Sequence, residues 1–148
     1  MSRNGFSRLV IPLAALMVLA LAPPALAANN KFRASGDFVI TSQTGVNQTV
    51  AVTGRASPGG AFTGTVIAQQ THNGDVQHST VTLDFGGGNT LTYAQELEFD
   101  ESTGLLVGTY TITGGTGSFA GATGSGDTVV DPAGDGTGTF SLSGTLVR

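Results

Sequence analysis

From Lys31 to the end of the chain, apolar side chains recur at every second position. Turn signals interrupt them about every eight to twelve residues. No part of this region repeats its apolar residues at helical spacing. Successive side chains of a strand point to opposite faces, so each interval predicts a strand with one apolar face. Lys31 to Ile40 places Phe32, Ala34, Phe38 and Ile40 together, and Gln48 to Gly54 carries Val50 and Val52. Ala61 to Thr71 turns Phe62, Val66 and Ala68 inward, and Val76 to Phe85 does the same with Val81, Leu83 and Phe85. Thr90 to Phe99 points Leu91, Tyr93, Leu97 and Phe99 inward, and Leu105 to Thr113 points Leu106, Tyr110 and Ile112. A seventh strand covers about Ala122 to Val130, and an eighth, Thr137 to Val147, buries Phe140, Leu142 and Leu146.

The breaks between them have turn chemistry. Ser57-Pro58-Gly59-Gly60, Gly86-Gly87-Gly88-Asn89 and Asp131-Pro132-Ala133-Gly134-Asp135-Gly136 close three intervals. His72-Asn73-Gly74-Asp75 is the clearest hairpin, because Asn-Gly accepts the positive φ values of a tight primed turn. Eight such strands predict an all-β fold, an eight-stranded antiparallel closed barrel. Closure removes the edge strands that promote aggregation. Glycines inside the strands, Gly64, Gly108, Gly138 and Gly144, read as bends or as places where a large side chain lies across the backbone. The outward positions are mostly threonine and serine, which suits a wall facing water and not the apolar, aromatic-girdled wall of a membrane barrel.

The first residues have a different character. Arg3 and Arg8 precede an apolar run from Leu9 to Leu21, and Pro23-Pro24 and Ala25-Leu26-Ala27 follow. This predicts a secretory signal peptide over residues 1–27, cleaved after Ala27 with Ala28 as the rival, ahead of one domain over 28–148. The expected location is secreted or periplasmic. The mature part holds Lys31, Arg33, Arg55 and Arg148 against all ten acidic residues, so its net charge is 4 − 10 = −6. So acidic a surface argues against nucleic acid and anionic membranes as partners. There are no cysteines, so stability rests on burial and a closed ladder. Twenty-three glycines raise the question of disorder, which the regular period-two apolar pattern rejects.

Few residues offer chemistry. Tyr93 and Tyr110 fall on the apolar faces of adjacent strands, and Gln95 shares the face of Tyr93 as a partner for its hydroxyl. With Phe62 and Phe99 they form the expected ligand-facing set, either orienting a ligand oxygen or simply packed as core. His72 sits in a turn, and His78 shares an outward face with Thr80, Thr82 and Asp84. No nucleophile elbow accompanies them, and two histidines without a third ligand make no zinc site. Glu96, Glu98, Asp100 and Glu101 read as a solvated strand end rather than a paired-carboxylate cleft. Asp131 and Asp135 lack the ligand spacing of a calcium loop. Gly114 to Gly117 lacks the lysine and helix of a phosphate loop. No metal and no cofactor is expected.

One segment carries a resemblance. Gly114-Gly115-Thr116-Gly117 followed by Phe119 makes a corner with a core aromatic, inside the longer run Gly108 to Gly124, and Gly138 to Thr145 supplies a G-T-F-x-L-x-G-T ending. These resemble the GGTG-x-F element of dirigent proteins and, more closely, of bacterial allene oxide cyclase-like barrel proteins. The resemblance covers about a quarter of the mature chain. It implies a calycin-like barrel with an apolar interior, in which some relatives cyclise or stereochemically guide a hydrophobic substrate. It also implies self-association into a dimer or trimer. Dirigent pockets combine inward arginines and aspartates with a tyrosine. Here Arg33, Arg55 and Arg148 fall outside the expected inner face, and Ser118 stands where bacterial relatives often carry arginine. Three functions are compatible with this reading. The first is an exported barrel binding a small hydrophobic molecule. The second is an isomerase-type cyclase or guide of the allene oxide cyclase or dirigent kind. The third is a surface or matrix protein with a solid interior.

Overall fold

A computed structural model describes residues 29–70 and 76–148. The expected leader and the His72-Asn73-Gly74-Asp75 turn lie outside the described residues. Eight strands form one closed antiparallel barrel in sequential order. They are β1 (Asn29–Thr44), β2 (Asn47–Ser57), β3 (Gly60–Gln70), β4 (Val76–Asp84), β5 (Thr90–Asp100), β6 (Leu105–Thr116), β7 (Gly124–Pro132) and β8 (Thr137–Val147). A short 3-10 turn, Gly117–Phe119, stands between β6 and β7. The expected fold class is the observed one.

The boundaries differ where small residues continue the ladder. β1 runs past Ile40 to Thr44 over a register shift between Ile40 and Ser42. β6 runs through Gly114 and Gly115 to Thr116, because the Thr116 hydroxyl is tied to the Thr90 hydroxyl and donates to the Gly88 carbonyl. β7 starts two residues later than the pattern indicates and takes in Pro132.

The strands are staggered as a closed barrel requires. Registered partners followed from Phe32 on β1 pass through Gly144, Gly126, Tyr110, Gln95, Ser79, Ala68 and Gln48, and return to β1 at Gln43. That offset is the stagger that tilts strands against a barrel axis. Two ends result, and they are built differently. At the end that receives the carboxyl ends of β2, β4, β6 and β8, Phe32, Leu83, Leu91, Phe119 and Leu146 are almost completely buried. Phe119 turns in from the corner and stacks on Phe85 at 4.9 Å, and Phe85 meets Phe62 at 5.7 Å. Arg148 covers this floor, its guanidinium 5.3 Å from the Phe119 ring. The Thr123–Val147 bridge ties the corner to the end of β8.

The outer wall is polar as expected. His78 and Glu96 are registered partners, with His78 Nδ1 3.3 Å from Glu96 Oε1, both well exposed. In the turns, the Asp100 and Asp135 carboxylates accept hydrogen bonds from the Ser102 and Thr137 hydroxyls, which hold both below the usual carboxylate range. No helix among the described residues is long and apolar enough to cross a membrane, and none of their His, Asp and Glu side chains cluster in threes for a metal ion.

Candidate functional site

The opposite end of the barrel is not filled. It receives the carboxyl ends of β1, β3, β5 and β7 and contains a cavity of about 260 Å³. Its wall is chiefly aliphatic, with Val50, Val66, Val81 and Leu97 among the lining residues, and the Phe140 ring marks the transition to the floor. Small and branched side chains at this height leave the gap, whereas phenylalanines and leucines close the other end.

Polar side chains interrupt the wall on one side. Ser79, Gln95 and Thr128 are the three buried polar residues among those described. Gln95 Nε2 donates to Ser79 Oγ at 3.3 Å, and Thr128 Oγ1 donates to Gln95 Oε1 at 3.4 Å. The second bond passes from β7 to β5 and skips β6. The inner position of β6 registered with Thr128 is Gly108, so no side chain blocks the path. A primary amide offers two N–H donors and two acceptor lone pairs. Each end of Gln95 uses one of its two, and the side chain lines the cavity. Nearer the mouth, Gln77 Nε2 donates to Gln48 Oε1 at 3.4 Å.

Tyr93 also lines the cavity, and Tyr110 lies beneath it. The rings meet edge to face at 5.5 Å, and Phe32 continues the stack at 6.3 Å from Tyr110. The Tyr110 hydroxyl is buried without a hydrogen-bond partner. It lies over Gly144, where a Cβ atom would stand 2.2 Å from the Ser125 carbonyl oxygen and 2.7 Å from this hydroxyl, so the position admits only glycine without shifting the neighbouring strand as well as the ring. Burial, with the neighbouring Tyr110, holds the Tyr93 hydroxyl far above the ordinary tyrosine range. Burial, with the Asp127 charge second, pushes Tyr110 up to about 12. Both are therefore neutral hydrogen-bonding groups near neutral pH, and neither is a proton acceptor of catalytic strength.

The sequence matches no family model and no curated protein. Solved structures do match. The pterocarpan synthase dirigent protein GePTS1 superposes with a TM-score of 0.61 at 14% identity, over 86% of this chain and 88% of that one. The pterocarpan synthase dirigent protein PsPTS1 gives 0.56 at 13% identity, over 82% of this chain and 95% of that one. The barrel has the same fold as these two proteins. The likeness is one of fold, in agreement with the resemblance at the Gly114 corner.

Within the barrel the expected site residues separate by height. Tyr93 and Gln95 meet at the cavity wall, and Tyr110 lies just below. Gln95, however, pairs with Ser79 and Thr128 and not with the Tyr93 hydroxyl. Phe62 is buried in the floor, 6.2 Å from Phe140, and is not part of the cavity lining. Phe99 is corrected. It is 51% exposed near the carboxyl end of β5, where it registers with Leu106 of β6, so its inward parity does not bring burial. Arg33 and Arg55 are exposed, and Arg148 lies at the floor, so none of the arginines among the described residues lines the cavity. Ser79, Thr128, Gln48 and Gln77 were not singled out from the sequence. Their signal was present in the alternation, since Ser79 keeps step with Val81 and Thr128 with Val130.

Proposed function

We propose that this barrel is an exported binder of a small, largely hydrophobic molecule held in the cavity at its open end. One observation supports this above the others: a chiefly aliphatic cavity of about 260 Å³ with a few polar groups on its wall, among them Gln95 linked to Ser79 and Thr128. Apolar pockets with a few convergent polar groups are the usual form of small-molecule sites. Thermal unfolding of the mature chain with short-chain and single-ring hydrophobic compounds tests it. A binder raises the melting temperature by several degrees at saturation, and Ala68→Phe, which fills the cavity, removes the shift. No shift with any compound ends this reading. A wholly solid interior, which the surface-protein reading needs, is not what this end of the barrel offers.

A second reading, a guide that confines a reactive substrate, draws support from the likeness in fold to pterocarpan synthase dirigent proteins. In it Tyr93 polarises a substrate oxygen, with Tyr110 fixing the ring. Product chirality from a coupling or cyclisation assay, in wild type and in a Tyr93→Phe, Tyr110→Phe double variant, decides it. Equal stereochemical excess in the two proteins removes the tyrosines from the role.

A further inference from the structure

The charge distribution narrows the ligand class, on the premise that the cavity is a binding site. We propose that the cavity selects an uncharged ligand of about ten non-hydrogen atoms, whose carbonyl oxygen is held by Gln95, and that it rejects carboxylates of the same size. Three observations carry this. First, none of the residues lining the cavity carries a charge, and all four cations of the described residues lie elsewhere. Lys31, Arg33 and Arg55 are exposed on the wall, and Arg148 lies across Phe119 at the closed end. A carboxylate drawn into the cavity would meet no counter-charge, and an unpaired buried ion is strongly disfavoured.

Second, two of the described segments at the mouth are acidic. Asp100 ends β5 and Glu101 follows it, and Asp131 and Asp135 stand at and beyond the end of β7. The Asp100 and Asp135 carboxylates are fixed by neighbouring hydroxyls and stay ionised. Like charge at the mouth lowers the local concentration of anions before any contact is made. Third, the Gln95 amide is held from both ends, by Ser79 and Thr128, and is left with one N–H and one lone pair on the cavity side. A pinned N–H is a preorganised donor to a carbonyl. The volume sets the size, since about 260 Å³ corresponds to roughly eight or nine water molecules.

The test is a matched series of methyl octyl ketone, nonanoate and nonylamine, measured by calorimetry on the mature chain at neutral pH. The ketone binds, and nonanoate binds at least about tenfold more weakly. Infrared difference spectra of the bound ketone show its carbonyl stretch displaced to lower frequency in wild type and not in Gln95→Met. Equal or tighter binding of nonanoate overturns the charge selection, as does a preference for nonylamine. An undisplaced carbonyl band in wild type overturns the role of Gln95, a result that does not depend on the variant folding. If none of the three binds and Ala68→Phe changes nothing, the binding reading itself has failed and this inference with it. Binding with the wrong order of affinities fails this inference alone.

Discussion

At the scale of single residues the informative groups are the two tyrosines, which are the only tyrosines in a chain without tryptophan. An exposed tyrosine ionises near pH 10. Burial raises Tyr93 far above that and Tyr110 to about 12. A group whose folded pKa is raised keeps its proton in the folded state after the unfolded chain has lost it. Stability is therefore level below about pH 10 and falls as pH rises from there towards 12. Ultraviolet absorbance should show no phenolate until the barrel unfolds, and phenolate absorbance and loss of strand signal should rise together. Ionisation of either ring in the folded protein near pH 10 would contradict their burial. Tyr93 and Tyr110 were legible as inward residues because alternation fixes direction. Phe99 was not, because alternation is silent about height.

At the scale of elements the corner at Gly117–Phe119 makes the clearest demand. Its aromatic ring is 1% exposed, stacked on Phe85 and covered by Arg148. Removing a buried phenylalanine side chain typically costs about 3–5 kcal/mol. Phe119→Ala should lose that much in denaturant unfolding, whereas Phe99→Ala should lose little. A cost below about 1 kcal/mol for Phe119→Ala would show that the floor does not depend on its plug. The order and number of strands were legible from the spacing of turn signals, and β8 matches its expected range. The ends of β1 and β6 were not, because glycine and threonine runs read as turns yet carry the ladder when a neighbouring strand supplies partners. The hydrogen bond over Gly108 shows the same limit, since it joins residues two strands apart and no local pattern encodes it.

At the scale of the whole molecule β1 pairs with β8 from Asn29 to Val39 and with β2 from Arg33 to Thr44, and the expected leader lies outside the described residues. From the sequence alone, the exported form is expected to start at or next to Ala28 and to fold without residues 1–27. Intact-mass measurement of material recovered outside the cytoplasm checks this. Recovery of the full-length chain there would contradict the leader reading. The acidic balance was plain from composition. Its bearing on the cavity was not, because only the structure shows that the few cations gather on the wall and at the floor, away from the mouth.

The two ends of the cylinder consequently answer to different demands. Tight aromatic stacking at one end secures the architecture, and the aliphatic vault at the other is free of that duty. Its lining can be recut, a valine enlarged here or a glutamine exchanged there, to accept a new guest while the foundation stays as it is. A family of engineered receptors with one stable base and interchangeable upper chambers follows from that division of labour.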